Sequence, residues 1–382
     1  MSRTPLNAFC ALTMGQSPDS ESYNIEHNGF PFYQGNADFG RIHPMVRVWC
    51  SAPKKLAKAG DILISVRAPI GALNIADCDC CIGRGLAAIT PDATCADTMF
   101  LFYALYASAA ELQRRGTGST FKAISKNALS NLLLPSYCLE EQKEISAVLQ
   151  QVDHLISLRQ RQAEKLDELV KARFVEMFGD PVRNCLHTAA RPMTEICQII
   201  DGDRGKNYPK ADDFFDKGDC LFLNAKNVTK AGFNFDECMF ITKDKDNVLR
   251  KGKLQRGDII LTTRGTIGNL AFYTDDVPYS DIRINSGMVI LRMNREYINP
   301  IYFIEQFKMQ LENIKRKIAS GTAQPQLPIS TMNKIKIIIP DIRLQANFAN
   351  FVHEVDREKE RIQRSAALLE TLKRSLMQQY FG

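Results

Sequence analysis

The chain has 382 residues, of which 45% are hydrophobic and 24% are charged. This composition is typical of a globular protein, and the length exceeds what one compact core usually holds, so we expect two or three domains. We find no apolar run long enough to span a bilayer and no signal-peptide core, and we therefore expect a cytoplasmic protein with no membrane partner. The formal charge of +6 permits a nucleic-acid partner through phosphate contacts but does not require one.

The eleven cysteines are scattered along the chain, apart from a cluster at 78–81. Their odd number and the length of the chain favour reduced thiols over a disulfide framework. A structural zinc site requires four ligands, commonly in paired spacings, and Cys78 and Cys81 form one such pair without a second. The five histidines show no metal-ligand spacing. The sequence therefore predicts no bound metal.

Two copies of one sequence plan follow each other along the chain. Residues 60–71 (GDILISVRAPIG) match residues 257–268 (GDIILTTRGTIG) in their Gly-Asp start, β-branched run, arginine and closing glycine. Two further pairs of segments match in the same order and at nearly constant spacing: 116–135 with 321–340, and 142–153 with 345–356. Such ordered matches indicate an internal duplication, in which the small changes of spacing are loop insertions.

Residues 1–138 are predicted to form the first domain, of mixed α/β structure. Glycine and proline punctuate this segment, and β-branched or apolar runs predict strands at 62–66 and 132–134. Residues 100–115 have the pattern of a helix.

Residues 139–180 are predicted to form one long helix, because no glycine or proline interrupts 140–177. At ~1.5 Å per residue such a helix would be nearly 60 Å long, and Gly179-Asp180-Pro181 would end it. Apolar residues at steps of three and four predict a seam that packs on another helix: Ile145, Val148, Val152, Leu155, Leu166, Leu169 and Met177.

The second copy repeats this order. Residues 181–340 are predicted to form the second α/β domain, and residues 341–382 a second long helix. Its predicted seam contains Phe348, Phe351, Val355, Ile362, Leu369, Leu372 and Leu376. Two similar helices in one chain most simply pack against each other in antiparallel orientation.

Short motifs in both copies carry a family resemblance. The first copy contains GQSPDSESYN, FYQGNADFG, GDILISVRAPIG and IGRGLAAI. The second contains KNYPK, FLNAKNV, GDIILTTRGTIG and RINSGMVILR, and EEQKEI and LVKARFVEMFGDP lie in and after the first helix. In order and in duplicate, these motifs make the whole chain resemble the specificity subunits of type I restriction-modification systems.

This resemblance implies an α/β (α+β) fold with two similar target recognition domains, joined by two long antiparallel coiled-coil helices in a pseudo-twofold internal repeat. Each domain would read one half of a bipartite, asymmetric target in double-stranded DNA. The helices would set the spacing between the halves and dock two methyltransferase subunits. Those partners would carry S-adenosylmethionine, so no cofactor is expected on this chain. A restriction subunit with motor and nuclease activity would be a further, optional partner.

Three other functions remain open at this point. In the first, the chain is itself the methyltransferase or nuclease. Against this alternative, the sequence has no Pro-Pro dipeptide of the kind that holds a flipped adenine and no G-x-x-x-x-G-K-[ST] motif of a motor protein. Asp61, Asp258 and Asp180 are conceivable nuclease carboxylates, although their positions suit turns better. A scaffold without a DNA role would explain the helices but not the polar-looped domains. A stand-alone operator-binding regulator is the remaining alternative.

Candidate DNA contacts are polar or basic residues of the predicted loops. Arg67 and Arg264 follow strands at matched positions, where an arginine can bind guanine or phosphate, or brace its own loop through a carboxylate. Asparagine and glutamine can read adenine, and a basic-aromatic cluster can bind phosphate or simply be solvated. The full set of candidates is Arg67, Ser119, Lys122, Lys206, Asn207, Tyr208, Lys210, Asn224, Asn227, Arg264, Gln324 and Gln326.

Candidate contacts to partner subunits lie on the two long helices: Glu141, Gln142, Ile145, Leu166, Leu169, Gln345, Phe348, Leu369 and Leu372. The first helix opens with Glu140-Glu141-Gln142, whereas the second opens with Arg343-Leu344-Gln345. If the acidic residues contact a partner, the two docking sites are not equivalent.

Overall fold

The computed structural model describes residues 2–117, 122–319 and 326–382, without the side chains of 317–319. The chain divides into two compact units. Unit 1 contains Met1–Arg161 and Ile362–Gly382, and unit 2 contains Gln162–Arg361. This division cuts through both long helices, whereas the sequence pattern predicted separate helical segments at 139–180 and 341–382. The structural units differ from the predicted segments because one half of each long helix packs on the α/β domain of unit 1 and the other half packs on that of unit 2.

The described part of unit 1 contains short strands and helices. The strands are β1 (Arg3–Pro5), β2 (Cys10–Met14), β3 (Tyr23–Asn24), β4 (Phe30–Tyr33), β5 (Trp49–Cys50), β6 (Leu56–Ala57), β7 (Ile62–Ser65), β8 (Leu73–Ile75), β9 (Cys80–Ile82), β10 (Leu86–Pro91) and β11 (Leu133–Pro135). The helices are α1 (Thr98–Ala107), α2 (Ala109–Arg115), α3 (Lys126–Ser130), the first half of α4 (Leu139–Phe178) and the second half of α9 (Ile342–Phe381).

The main sheet of unit 1 has the strand order β2-β10-β7-β8 and is antiparallel throughout. A second sheet has the order β3-β5-β4-β9-β6, in which β4 and β9 run parallel. Every residue of β7 is buried, and its run Ile62-Leu63-Ile64 is therefore apolar without alternation. One face of the main sheet packs on α1 and α4 around Ile64, Phe100 and Leu149.

Unit 2 contains the second set of elements in its described residues. The strands are β12 (Ala190–Pro192), β13 (Cys197–Asp201), β14 (Cys220–Leu223), β15 (Val228–Thr229), β16 (Gly232–Phe233), β17 (Phe240–Ile241), β18 (Ile259–Thr262), β19 (Leu270–Phe272), β20 (Ile282–Ile284), β21 (Met288–Met293) and β22 (Lys336–Ile338). The helices are α5 (Met193–Ile196), α6 (Lys243–Val248), α7 (Pro300–Ala319), α8 (Ile329–Met332), the second half of α4 and the first half of α9 (Ile342–Phe381).

The sheets of unit 2 repeat the topology of unit 1. Its main sheet has the order β13-β21-β18-β19, which corresponds strand for strand to β2-β10-β7-β8. The pair β12-β22 corresponds to β1-β11, and the parallel pair β14-β20 corresponds to β4-β9. This repetition confirms the duplicated α/β fold that the sequence repeats predict.

The two long helices run antiparallel within each unit. In unit 1, the start of α4 meets the end of α9, where Lys373 Nζ lies 2.6 Å from Asp153 Oδ1. In unit 2, the end of α4 meets the start of α9, where the rings of Phe174 and Phe348 are 5.4 Å apart. Because each unit pairs opposite ends of the two helices, the predicted antiparallel arrangement is confirmed.

The buried stripe of α4 keeps Ile145 and Val152 of the predicted seam, but Leu149 and Ile156 take the places predicted for Val148 and Leu155. Ile145, Leu149, Val152 and Ile156 are buried, whereas the predicted Val148 and Leu155 are 40% and 39% exposed. The same steps of three and four fit both stripes, and the sequence pattern alone does not select between them. Among the described residues, none of the helices combines the length and the apolar character needed to cross a membrane.

Candidate nucleic-acid interface

The loop between β7 and β8 in unit 1 carries Arg67 on a backbone that is held on both sides. Val66 N donates to Gly85 O at 2.9 Å, and Val66 O accepts from Ile124 N at 2.9 Å. The Ser65 hydroxyl donates to Arg67 O at 2.8 Å. The Arg67 side chain is exposed, and it makes no hydrogen bond or ion pair with the described residues. Among the residues that the structure describes, the loop therefore fixes the backbone and leaves the guanidinium without a partner.

The loop between β18 and β19 in unit 2 holds Arg264 in the same way. Thr263 N and Arg264 N both donate to Gly287 O, at 2.8 and 3.2 Å, and Thr263 O accepts from Leu327 N at 2.9 Å. Arg264 is exposed. Within the described ranges its side chain has no carboxylate partner, so the alternative in which the arginine braces its own loop has no support there.

A second segment lies beside each arginine loop. Arg67 forms an isolated antiparallel bridge with Ala123, and Arg264 forms one with Gln326. The structure thus brings two predicted contact residues, Arg264 and Gln326, side by side, and places Lys122 next to the bridge of Arg67. Two other predicted contacts, Ser119 and Gln324, lie outside the described residues.

The predicted basic-aromatic cluster lies after β13 in unit 2. Lys206 and Lys210 are exposed, which agrees with either phosphate binding or solvation. Tyr208 is half-buried against Phe222, with ring centroids 5.8 Å apart. Its ring therefore packs in a small hydrophobic core, and only part of it faces solvent. Asn207 Nδ2 donates to Val248 O at 3.3 Å, which fastens the loop to α6.

The prediction that Asn227 reads a base is wrong for the conformation described, because its side chain is buried and fully bonded. It is 1% exposed. Its Oδ1 accepts from Asn224 N, and its Nδ2 donates to Asn234 O and Glu237 O at 3.0 and 2.8 Å. Asn224 uses its Oδ1 as an N-cap for Lys226 N at 2.8 Å, and it remains partly exposed. Asn224 therefore stays a prediction.

Four of the predicted partner contacts are buried inside the chain. Gln142, Gln345 and Phe348 are 0% exposed, and Ile145 is 6% exposed, so their side chains pack within their own unit. Glu141 Oε2 accepts from Cys138 N at 2.8 Å and caps the start of α4. α9 is capped by a different bond, in which Asp341, the residue before the helix, accepts from Arg343 N at 2.8 Å.

The remaining predicted partner contacts differ in exposure. Leu169 and Leu372 are each 47% exposed, while Leu166 and Leu369 are half-buried. An exposed leucine on a helix is available to a partner, and these residues stay predictions.

The carboxylates considered for nuclease chemistry are turn residues. Asp61 and Asp258 each accept a backbone N–H three residues earlier, from Lys58 and Gln255, at 2.8 Å. Asp180 Oδ1 accepts from Val182 N at 2.8 Å after the end of α4. In the described ranges, no group of three or more histidine, cysteine, aspartate or glutamate side chains could hold a metal ion.

The cysteines are all unpaired thiols. Several are buried, and burial raises the pKa of the Cys197 thiol to about 12. Burial likewise raises the pKa of the Cys220 thiol to about 12, with a further contribution from Asp246. Such thiols stay protonated near neutral pH and are poor nucleophiles.

Sequence reasoning missed a charge cluster around a buried ion pair in unit 2. Arg283 and Asp246 are in direct contact and are 6% and 1% exposed, and Lys253 Nζ lies 2.7 Å from Asp246 Oδ2 and 2.8 Å from Asp281 Oδ1. Burial alone would raise the pKa of Asp246, but the hydrogen bonds from Lys253 and Arg283 outweigh it and lower that pKa. The cluster joins Asp246 and Lys253 to Asp281 and Arg283 from a later segment of the chain, and no sequence pattern reveals this contact.

Comparison with known proteins shows to which family the chain belongs. The model of the type I restriction modification DNA specificity domain matches residues 6–168 and again residues 189–370. The chain belongs to this family. The specificity domain thus occurs twice, and each match includes one arginine loop, that of Arg67 or that of Arg264.

Relatives of this specificity-domain chain carry corresponding names. The putative type I restriction enzyme MjaX specificity subunit of Methanocaldococcus jannaschii is 43% identical over 163 residues, 43% of this chain and 38% of that protein. The MjaVIII specificity subunit of the same organism is 25% identical over 70% of this chain and 67% of that protein. The first match therefore spans well under two thirds of the length of that relative.

The fold of the specificity-domain chain is also found in a crystal structure. The S subunit of a type I restriction-modification system from M. genitalium aligns with 100% of this chain and 96% of its own, with a TM-score of 0.60. The sequence identity is 17%, so this likeness concerns the fold.

Proposed function

We propose that this chain is the DNA-recognition subunit of a type I restriction-modification complex and is not itself catalytic. Unit 1 reads one half of a bipartite double-stranded target, and unit 2 reads the other half. The long helices set the spacing between the halves and dock two methyltransferase subunits, which bind S-adenosylmethionine. A restriction subunit joins where the complex also cuts DNA. Such a complex works on cellular DNA in the cytoplasm.

The observation that carries this proposal is the pair of matched arginine loops. In each unit an exposed guanidinium, that of Arg67 or Arg264, stands on a backbone pinned by neighbouring strands, and it finds no partner among the described residues. Protein–DNA interfaces use this arrangement because a preorganised backbone lowers the entropy lost on binding. Arginine also forms the hydrogen bonds to phosphate and guanine that dominate such interfaces.

The mechanism is differential binding rather than chemistry. The basic side chains of Lys122, Lys206 and Lys210 are exposed and suit phosphate contacts that hold the domain in register. Polar side chains at the loop tips then distinguish base edges. The loop residues differ between the two domains, since Gln326 lies beside Arg264 and Ala123 lies beside Arg67. This difference favours two different half-sites and therefore an asymmetric target.

A binding and methylation experiment separates this proposal from its alternatives. The full chain is purified alone and together with the methyltransferase subunits of its complex, and DNA binding is measured by filter retention. We expect tight, sequence-selective binding and adenine methylation only from the assembled complex. Methylation or cleavage by the chain alone would make it an enzyme. Sequence-selective binding that the methyltransferase subunits leave unchanged would favour a stand-alone regulator, and no DNA binding in either state would favour a scaffold.

A further inference from the structure

The two arginine loops share one frame but differ in the residues that lie across from the arginine. Arg264 is bridged by Gln326, and both side chains are exposed. Arg67 is bridged by Ala123, which is half-buried. Residues directly opposite each other in an antiparallel pair project their side chains from the same face, with Cβ atoms about 4.5–5.5 Å apart. Each arginine therefore has one fixed neighbour on its own face.

In unit 1 the row contains a third residue, Thr117. Ala123 N donates to Thr117 O, and Thr117 N donates to Ala123 O, both at 2.9 Å. Ala123 thus lies between Arg67 and Thr117 in three adjacent segments. Adjacent segments are about 4.8 Å apart, so the row spans about 9.5 Å. This length is close to three base-pair steps of about 3.4 Å.

The two rows present different chemical groups, which suit different bases. An arginine fork suits O6 and N7 of guanine in both units, and a glutamine amide suits N6 and N7 of adenine. The methyl groups of Ala123 and Thr117 instead suit the methyl group of thymine. Among the described residues, the two rows share the arginine, and they differ in its cross-strand neighbour, which is Gln326 in unit 2 and Ala123, followed by Thr117, in unit 1.

We propose that this cross-strand row is a base-reading face in each unit. Arg67 and Arg264 bind guanine, Gln326 reads an adenine next to the guanine of its half-site, and Ala123 with Thr117 reads a thymine in the other half-site. The inference rests on the proposed function and adds the residues that make the two half-sites different.

Rigidity of the backbone distinguishes these rows from ordinary surface loops. The carbonyl before each arginine accepts from the neighbouring segment, from Ile124 N in unit 1 and Leu327 N in unit 2, both at 2.9 Å. The spacing of the side chains is therefore set before DNA arrives. A displacement of one residue along either segment would turn the alternate side chain toward DNA, so the register itself determines which residues read bases.

The test uses the full chain in complex with its methyltransferase subunits and random-sequence DNA duplexes as the probe. The motif of the wild-type complex is first determined from the methylated duplexes. Gln326→Ala and Ala123→Gln are then compared with Gln151→Ala, an exposed glutamine of α4 outside the rows, and thermal unfolding confirms that each variant is folded. Gln326→Ala should reduce discrimination at one adenine of one half-site by about 5- to 150-fold. Ala123→Gln should shift one position of the other half-site from thymine toward adenine.

The outcomes separate this inference from the proposed function. A wild-type complex that methylates without sequence preference would contradict both the proposed function and this inference. If the wild-type motif is present but Gln326→Ala weakens binding equally for all sequences, or changes nothing, the reading role of the row is wrong and the proposed function stands. A change in both half-sites from one substitution would also overturn the inference, because each row belongs to one unit.

Discussion

Gln142 and Gln345 make the same three hydrogen bonds at equivalent places in the two units. Gln142 Oε1 accepts from Asp97 N at 2.9 Å, and its Nε2 donates to Cys95 O and Tyr137 O, both at 3.0 Å. Gln345 Oε1 accepts from Asn299 N at 2.8 Å, and its Nε2 donates to Tyr297 O and Pro340 O at 3.0 and 2.9 Å. Each buried amide thus ties the first turn of a long helix to the N-cap of a domain helix.

Removing either amide should destabilise its own unit. Gln142→Ala and Gln345→Ala each leave one buried N–H and two buried carbonyl groups without a partner, and we expect a cost of about 1–3 kcal/mol in unfolding free energy. Urea unfolding measures this cost. The exposed glutamines Gln151 and Gln363 supply controls, since their alanine variants should change stability by less than about 0.5 kcal/mol. Equal effects for buried and exposed positions would contradict the role of the amide.

The paired Gly-Asp turns provide a second matched comparison. Asp61 and Asp258 occupy equivalent turns, but only Asp258, within the described residues, also binds an arginine, with Arg292 Nε and Nη2 at 2.9 and 2.8 Å. Asp258→Asn should therefore cost about 1–3 kcal/mol, because a charge-assisted pair is lost while the turn acceptor is kept. Asp61→Asn should cost clearly less. Thermal unfolding of both variants tests the difference, and a larger loss for Asp61→Asn would refute it.

The duplicated fold could be predicted from the sequence, while most of the site residues could not. Glycine, proline and β-branched runs are local signals, and they locate β7, β18 and the ends of α4 within a few residues. Burial of Asn227 or Gln142 depends on hydrogen-bond partners distant in sequence or spread through a folded loop. Ala123 lacks any sequence signal, because its position opposite Arg67 arises only from the register of two loops.

Unit 2 should lose stability in acid through the charge cluster around Asp246. Hydrogen bonds from Lys253 and Arg283 lower the pKa of Asp246 against the opposing effect of burial, and the hydrogen bond from Lys253 lowers the pKa of Asp281. A carboxylate with a lowered folded pKa stabilises the fold above its unfolded pKa of about 4, and this stabilisation is lost as the pH falls through the folded value.

Asp246→Asn supplies the corresponding measurement. At pH 7 the variant should be less stable than the wild type, because Arg283 loses its buried counterion. Below about pH 4 the difference should shrink as the wild-type carboxylate becomes protonated. Urea unfolding at pH 7 and pH 3 gives both values. A difference that stays constant between them would show that the charge of Asp246 does not contribute.

Helix length should control the spacing between half-sites without changing their bases. Seven residues, two helical turns, inserted between Leu155 and Leu166 and at the matching place in α9 would keep the apolar stripes in register. We expect a longer spacer in the methylated motif and unchanged half-sites. An insertion of four residues in both helices should be less well tolerated, because it rotates each stripe out of register. Altered base identity after the seven-residue insertion would contradict a pure spacing role.

Exchange of the second domain should change one half of the target only. Residues 191–340 carry Arg264 and Gln326, and the first arginine loop lies entirely in unit 1. Replacing this segment by the corresponding one from another family member keeps α4, α9 and the buried Gln345 of the acceptor chain. Its Nε2 bond to Pro340 O uses only a backbone carbonyl, and any residue at that position offers one. We therefore expect a folded chain that methylates a hybrid motif, with one half-site from each parent. Methylome sequencing of cells that express each parent and the hybrid provides the measurement. A hybrid with both half-sites altered would mean that the two units do not read DNA independently, and the division of recognition between them would have to be abandoned.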